Sequence, residues 1–238
     1  MQQLLVALDV DTAAAALALV DRLRGVAGGF KIGSRLFTRE GPPVVEAVAA
    51  GGDRVFLDLK FHDIPQTVAG AVAAATRLGV WMVNVHAAGG SAMMRAALEA
   101  AREESARISR PTPLVIAVTV LTSLTERTLT EIGTEGAMDA QVHRLAALTQ
   151  AAGLDGVVAS PREIAVVRAA CGSDFTIVTP GIRNAEDERH DQSRTLSASR
   201  ALAAGADFLV VGRPIIGAPD PRAAAERIAE ECGAGSAS

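Results

Sequence analysis

Two carboxylates, a lysine and a histidine crowd into the six positions Asp58-Leu59-Lys60-Phe61-His62-Asp63. The apolar run Val55-Phe56-Leu57 before them reads as a buried strand. Ile64-Pro65 after them opens an Ala-rich helical pattern, with Pro65 in the first helical turn. Asp58 and Lys60 are two apart, so on a strand both project from one face, while Leu59 turns into the opposite apolar layer. Asp63 falls past the strand end, where a loop redirects it. Buried charges need partners, and an ammonium beside carboxylates keeps its proton. A substrate carboxylate pressed against Asp58 is destabilised. Carbanion charge developing as that carboxylate leaves is stabilised by Lys60, which then delivers a proton. The chemistry expected of this stretch is decarboxylation followed by protonation, with no cofactor.

Composition sharpens the case for Lys60. Of 23 basic residues only Lys31 and Lys60 are lysines, and the rest are arginines. Where a generic positive charge suffices, this chain uses Arg. Lysine retained against that bias points to proton transfer, because Arg does not give up its proton in proteins and Lys does. The remaining composition excludes several classes. A net charge of -4 and 3% aromatic residues argue against a nucleic-acid surface. No apolar run reaches membrane-spanning length, and the first residues lack a basic region followed by a long apolar core. Cys171 and Cys232 show no metal-ligand spacing and no disulfide framework, so a reducing, cytoplasmic compartment is expected.

The elements that must hold these residues alternate strictly. Strands are predicted at Leu4–Leu8, Phe30–Gly33, Val55 into the Asp58 stretch, Trp81–Val85, Pro113–Val120, Val157–Ser160, Phe175–Val178 and Phe208–Val211. Helices are predicted at Ala13–Leu23, Pro42–Ala50, Val68–Leu78, Ser91–Arg102, Ala140–Ala152, Pro161–Ala170, Ser197–Ala204 and Pro221–Cys232. Leu124–Met138 is polar, with one short helix expected, and Gly233–Ser238 reads as a frayed tail. Gly followed closely by Asp recurs before strands, as in Gly52-Asp53 and Gly205-Ala206-Asp207. Eight strand–helix units in 238 residues predict a single-domain (β/α)8 TIM barrel of parallel strands. An open doubly wound sheet is the alternative, but a Gly-rich fingerprint after the first strand is missing.

In such a barrel Asp9, Lys31, Asp58, Lys60, His86, Thr122, Ser160, Pro180 and Arg213 all fall at or just after C-terminal strand ends. They therefore converge on the mouth where barrel active sites lie. Gly212-Arg213 after the eighth strand suits a phosphate, through backbone N–H groups and a bidentate guanidinium. The polar loop from Arg183 to Arg194, which carries Gln192, is expected to close over that phosphate. His62 and His86 are expected to be structural, and Trp81 with Met93-Met94 to pack.

The stretch Asp58-Leu59-Lys60-Phe61-His62-Asp63-Ile64-Pro65 resembles the signature of the orotidine 5'-phosphate decarboxylases. Val118-Thr119-Val120-Leu121-Thr122-Ser123, Thr179-Pro180-Gly181-Ile182-Arg183, Asp191-Gln192 and Val211-Gly212-Arg213-Pro214 resemble the same family, in the same order, from Leu4 to about Pro221. The resemblance implies a catalytic Lys31, Asp58, Lys60 and Asp63, with Lys60 as proton donor. It implies Asp9 and Lys31 at the ribose hydroxyls, Thr122 and Ser123 near the pyrimidine, and Pro180 among the substrate-binding residues. Arg183, Gln192, Gly212 and Arg213 fall at the phosphate. It further implies a homodimer with shared sites, in which Asp63 and Thr67 enter the neighbouring subunit's site, and it counts Ile64 among the substrate-binding residues. Gln66 departs from the family's usual Asn. Two rivals remain: a metal-dependent sugar-phosphate decarboxylase or aldolase sharing Asp-x-Lys-x-x-Asp, and a non-catalytic nucleotide-phosphate binding barrel.

Overall fold

The structure is a computed structural model that describes residues 2–182 and 196–234. Eight parallel strands close into a barrel in sequence order: β1 (Leu4–Ala7), β2 (Gly29–Gly33), β3 (Val55–Phe61), β4 (Met82–His86), β5 (Leu114–Val118), β6 (Gly156–Val158), β7 (Thr176–Pro180) and β8 (Phe208–Val211). β1 pairs with both β2 and β8, which completes the ring. The predicted (β/α)8 architecture is the observed one. The helices are α1 (Ala13–Leu23), α2 (Ser34–Glu40), α3 (Pro42–Ala50), α4 (Pro65–Arg77), α5 (Gly90–Ile108), α6 (Glu126–Glu131), α7 (Met138–Ala151), α8 (Ile164–Cys171), α9 (Ala198–Ala203), α10 (Arg213–Ile216) and α11 (Pro221–Ala234).

The continuous apolar runs in the strands have two destinations, because a parallel sheet in a barrel is buried on both faces. Leu5, Ala7, Phe56, Met82, Ile116, Val178 and Val210 fill the barrel interior. The alternate positions, among them Leu4, Val6, Leu57, Val83, Val115 and Ile177, pack outward against the helices. Period two in the sequence therefore sorts one residue in two toward the axis, and along β1, β2 and β3 that series runs up to Asp9, Lys31 and Asp58.

Local signals set most boundaries. Thr12 caps α1 by accepting the Ala15 N–H, and Pro42 and Pro65 occupy first turns. Two short helices differ from the sequence reading. α2 fills a stretch given no element; it ends at Gly41, whose φ of 68° admits glycine without strain, and Pro42 then starts α3. α10 follows β8 in a second stretch given no element, with Pro214 in its first turn. α5 also runs beyond Arg102, because Glu103 to Arg107 continue a good helix-forming pattern.

The recurrent Gly and Asp residues before strands lie at the opposite end from the mouth. Asp155 accepts the Val115 N–H and Asp207 accepts the Ile177 N–H, each at 2.7 Å, tying the start of one strand to the next. Gly156 has no room for a side chain: a Cβ there would lie 2.1 Å from the Thr176 carbonyl oxygen. These positions serve closure of the barrel rather than chemistry.

Candidate active site

Three strands deliver the charged cluster. Register places Ala7 beside Lys31, Lys31 beside Phe56 and Gly33 beside Asp58. Lys31 is buried, and its Nζ lies 3.3 Å from Asp58 Oδ2 and 3.6 Å from Asp9 Oδ1. Lys60 Nζ lies 2.7 Å from the other Asp58 oxygen, Oδ1. Burial by itself would push the Asp58 carboxyl up. The Lys31 and Lys60 ammoniums, with hydrogen bonds from Lys60 and Asn84, outweigh burial and hold it below the ordinary carboxylate value. Asp58 is thus an anion fixed between two cations.

Strand pleating alone does not account for Lys60. The β3–β4 register shifts between Leu57 and Phe61. Lys60 itself sits in the left-handed region at φ 53°, which only Ser109 shares among described non-glycine residues with positive φ. That conformation costs an L-residue about 1–2 kcal/mol. Its N–H, turned out of the strand ladder, donates to Asn84 Oδ1 at 2.8 Å, and Asn84 Nδ2 donates to Asp58 Oδ1 at 2.7 Å. In the sequence Asn84 is a strand position with no assigned role. The signal that could have found it is one carboxamide inside the apolar run Trp81-Met82-Val83-Asn84-Val85.

The cluster forms one wall of a cavity of about 640 Å³ at the C-terminal ends of the strands. Asp9, Lys31, Asp58 and Lys60 line it from β1–β3, Thr122 from the loop after β5, Pro180 from β7, and Gly212 and Arg213 from the end of β8. Phe56, Val118, Val158 and Val210 form an apolar floor. Among the described residues no acid pairs with Arg213, so its guanidinium is available at the rim. The volume and the mixed charged and apolar lining suit a small polar ligand.

Other expected residues lie elsewhere. Asp63, Ile64 and Thr67 are exposed and outside the cavity; Asp63 Oδ1 accepts the Ile64 N–H at 2.6 Å, and Ile64 is 66% exposed. Ser123 is exposed beside Thr122 but does not line the cavity. Ser160 is buried at the end of β6 and is not part of the lining. Arg183 and Gln192 lie outside the described residues. The His62 and His86 rings stack, tilted by 34° with centroids 5.4 Å apart. Burial, His62 and Lys60 hold the His86 imidazole below its ordinary value, which keeps it neutral at neutral pH. Trp81 packs edge-on against Phe208, and Met93 and Met94 are fully buried. No group of three or more His, Cys, Asp and Glu side chains is placed to hold a metal ion among the described residues. No described helix is long and apolar enough to cross a membrane.

Comparison with known proteins agrees with this fold. The family model "Orotidine 5'-phosphate decarboxylase / HUMPS family" matches residues 2–228. The orotidine 5'-phosphate decarboxylase of Moorella thermoacetica is 57% identical over 230 residues, 96% of this chain and 91% of that protein. That of Syntrophotalea carbinolica is 55% identical over 233 residues, covering 98% and 96%. The crystal structure of orotidine 5'-phosphate decarboxylase from Lactobacillus acidophilus superposes with a TM-score of 0.86 at 35% identity, over 96% of this chain and 98% of that one. The family model and these relatives lead to one conclusion: the chain belongs to the orotidine 5'-phosphate decarboxylase / HUMPS family.

Proposed function

We propose that the chain is a single-domain decarboxylase that converts orotidine 5'-phosphate to uridine 5'-phosphate and carbon dioxide in pyrimidine synthesis, without metal or cofactor. The observation that carries this reading is the row Lys31–Asp58–Lys60 on one wall of the cavity, with Arg213 at the rim. The phosphate is taken by Arg213 and the Gly212 backbone, joined by Arg183 and Gln192. Asp9 and Lys31 meet the ribose hydroxyls. Thr122, Ser123 and Pro180 lie about the pyrimidine. Phosphate binding draws the substrate carboxylate against the Asp58 anion. The bond from ring carbon to carboxylate breaks and its electron pair stays on the ring carbon. The Lys60 ammonium stabilises that charge and transfers a proton to the carbon, carbon dioxide departs, and the neutral amine regains a proton from solvent.

The site is completed by a second copy of the chain. Asp63, Ile64 and Thr67 are exposed beside the mouth and contribute nothing to their own cavity, which supports a homodimer in which each subunit lends them to its partner. Buried Cys171 and Cys232 and the absence of a membrane-crossing helix among described residues are compatible with a cytoplasmic enzyme. The decisive assay follows the loss of orotidine 5'-phosphate absorbance with purified protein, before and after exhaustive chelation. Turnover unaffected by chelator is expected. Activity that requires added magnesium, or turnover only of a sugar phosphate, would replace this reading with the metal-dependent one.

A further inference from the structure

Asn84 is fully buried, yet both ends of its carboxamide are engaged. Oδ1 accepts the Lys60 N–H and Nδ2 donates to Asp58 Oδ1. That same Asp58 oxygen receives Lys60 Nζ at 2.7 Å. The three residues therefore close a ring: main chain of Lys60 to Asn84, Asn84 to Asp58, Asp58 to the side chain of Lys60. The ring sits where the β3–β4 register shifts and Lys60 turns left-handed, so regular strand pairing leaves the Lys60 N–H to a side-chain acceptor. The chemical demands on position 84 are narrow. It must accept from one neighbour and donate to the other at short reach. Ionised Asp has no donor and repels Asp58, Leu has neither group, and Gln is a methylene too long for a close-packed wall.

Building on the reading of Lys60 as proton donor, we propose that Asn84 is a positioning residue: it holds the Lys60 main chain in its left-handed turn and orients Asp58, so that the Lys60 ammonium is aimed into the cavity. Asn84 does not itself line the cavity, so it acts through these two residues and not on the ligand. The charged groups facing Asp58 are Lys31 and Lys60, with His86 beside Lys60, and the contact from Asn84 assists the two lysines in keeping Asp58 ionised.

The two-lysine composition makes the ring directly observable. Protein labelled with ¹⁵N only in lysine gives two backbone amide signals, Lys31 and Lys60. Lys31 lies in a regular ladder between β1 and β3 and serves as the internal reference. In Asn84→Ala the Lys60 amide should exchange with solvent about ten-fold faster or more, with Lys31 unchanged. Misaiming the proton donor should lower kcat on the order of 100-fold, with KM for orotidine 5'-phosphate within about three-fold. Asn84→Asp, of nearly equal size, should be impaired at neutral pH and partly recover as pH falls, because a protonated carboxyl again offers one donor and one acceptor. This variant carries the kinetic test if Asn84→Ala does not fold. An unchanged Lys60 amide in Asn84→Ala, or kcat and KM altered in proportion with no acid recovery in Asn84→Asp, would overturn the proposal. Absence of decarboxylation by the parent protein would instead reject the assigned reaction, while the amide measurement would still decide the ring.

Discussion

Asp58 and Lys60, two residues apart on β3, form an ion pair with 2.7 Å between Oδ1 and Nζ, and the lysine reaches it from a left-handed main chain. Lys31 occupies the other oxygen of the same carboxylate at 3.3 Å. The anion is thus satisfied on both sides, and Lys60 is anchored through one of its three protons, leaving two to face the cavity. Arginine can supply the charge in this position but not the proton, which separates electrostatic holding from acid catalysis.

Lys60→Arg should therefore cut turnover by about 10²–10⁴-fold, the usual worth of a positioned general acid. Affinity for the product uridine 5'-phosphate should change only a few-fold, since the phosphate grip lies across the cavity. Steady-state kinetics paired with a product titration test this. Near-normal turnover would remove Lys60 from the role of donor.

The Asp58 pair also has a pH signature. Its folded carboxyl lies below the ordinary value near 3.8. A depressed carboxyl stabilises the fold fully above the unfolded value and loses that contribution as pH falls through the folded one. At pH 7, Asp58→Asn leaves two ammoniums without the anion between them and should cost about 1–3 kcal/mol, a melting shift of roughly 2–10 °C in a chain of this size. The gap between parent and variant should shrink below about pH 4. A parent–variant gap in melting temperature that is the same at pH 7 and pH 3 would remove this ion pair from the stability of the fold.

Arg213→Ala should raise KM for orotidine 5'-phosphate by roughly 10–100-fold, the worth of a charge-assisted hydrogen bond to phosphate. kcat should fall too if phosphate binding drives the carboxylate onto Asp58. The diagnostic comparison is the unphosphorylated nucleoside. A variant that discriminated against it as well as the parent does would place the phosphate elsewhere.

Assembly can be tested by complementation. Lys60→Ala and Asp63→Ala proteins should each be nearly inactive. Mixed, dissociated and reassociated, they should form heterodimers with one intact site, built from Lys60 of one chain and Asp63 of the other. Random pairing restores about a quarter of wild-type sites. Confirmed subunit exchange without recovered activity would mean that Asp63 serves its own chain.

What was legible in the sequence follows from local periodicity. Apolar runs of strand length alternating with helical patterns require parallel strands covered by helices, and the eight-fold repeat sets a closed barrel. Because each run ends at the barrel mouth, spacing alone puts Asp9, Lys31, Asp58, Thr122, Pro180 and Arg213 at one end, and they line one cavity. The short helices α2 and α10 were not legible, because a helix of one or two turns is stabilised by packing rather than propensity.

The sequence by itself determined the barrel, the end at which its chemistry lies and the scarcity of lysine that marks Lys31 and Lys60. These depend on residue type and spacing along the chain. The tertiary structure alone decided how Lys60 is aimed. Its left-handed turn arises where β3 slips against β4, and its N–H is held by Asn84, 24 residues away in sequence. It also decided that Asp63, Ile64 and Thr67 stand outside the cavity formed by their own chain. Strand register and the course of a loop are fixed by which distant segments meet and what they bury, and no local pattern carries that information.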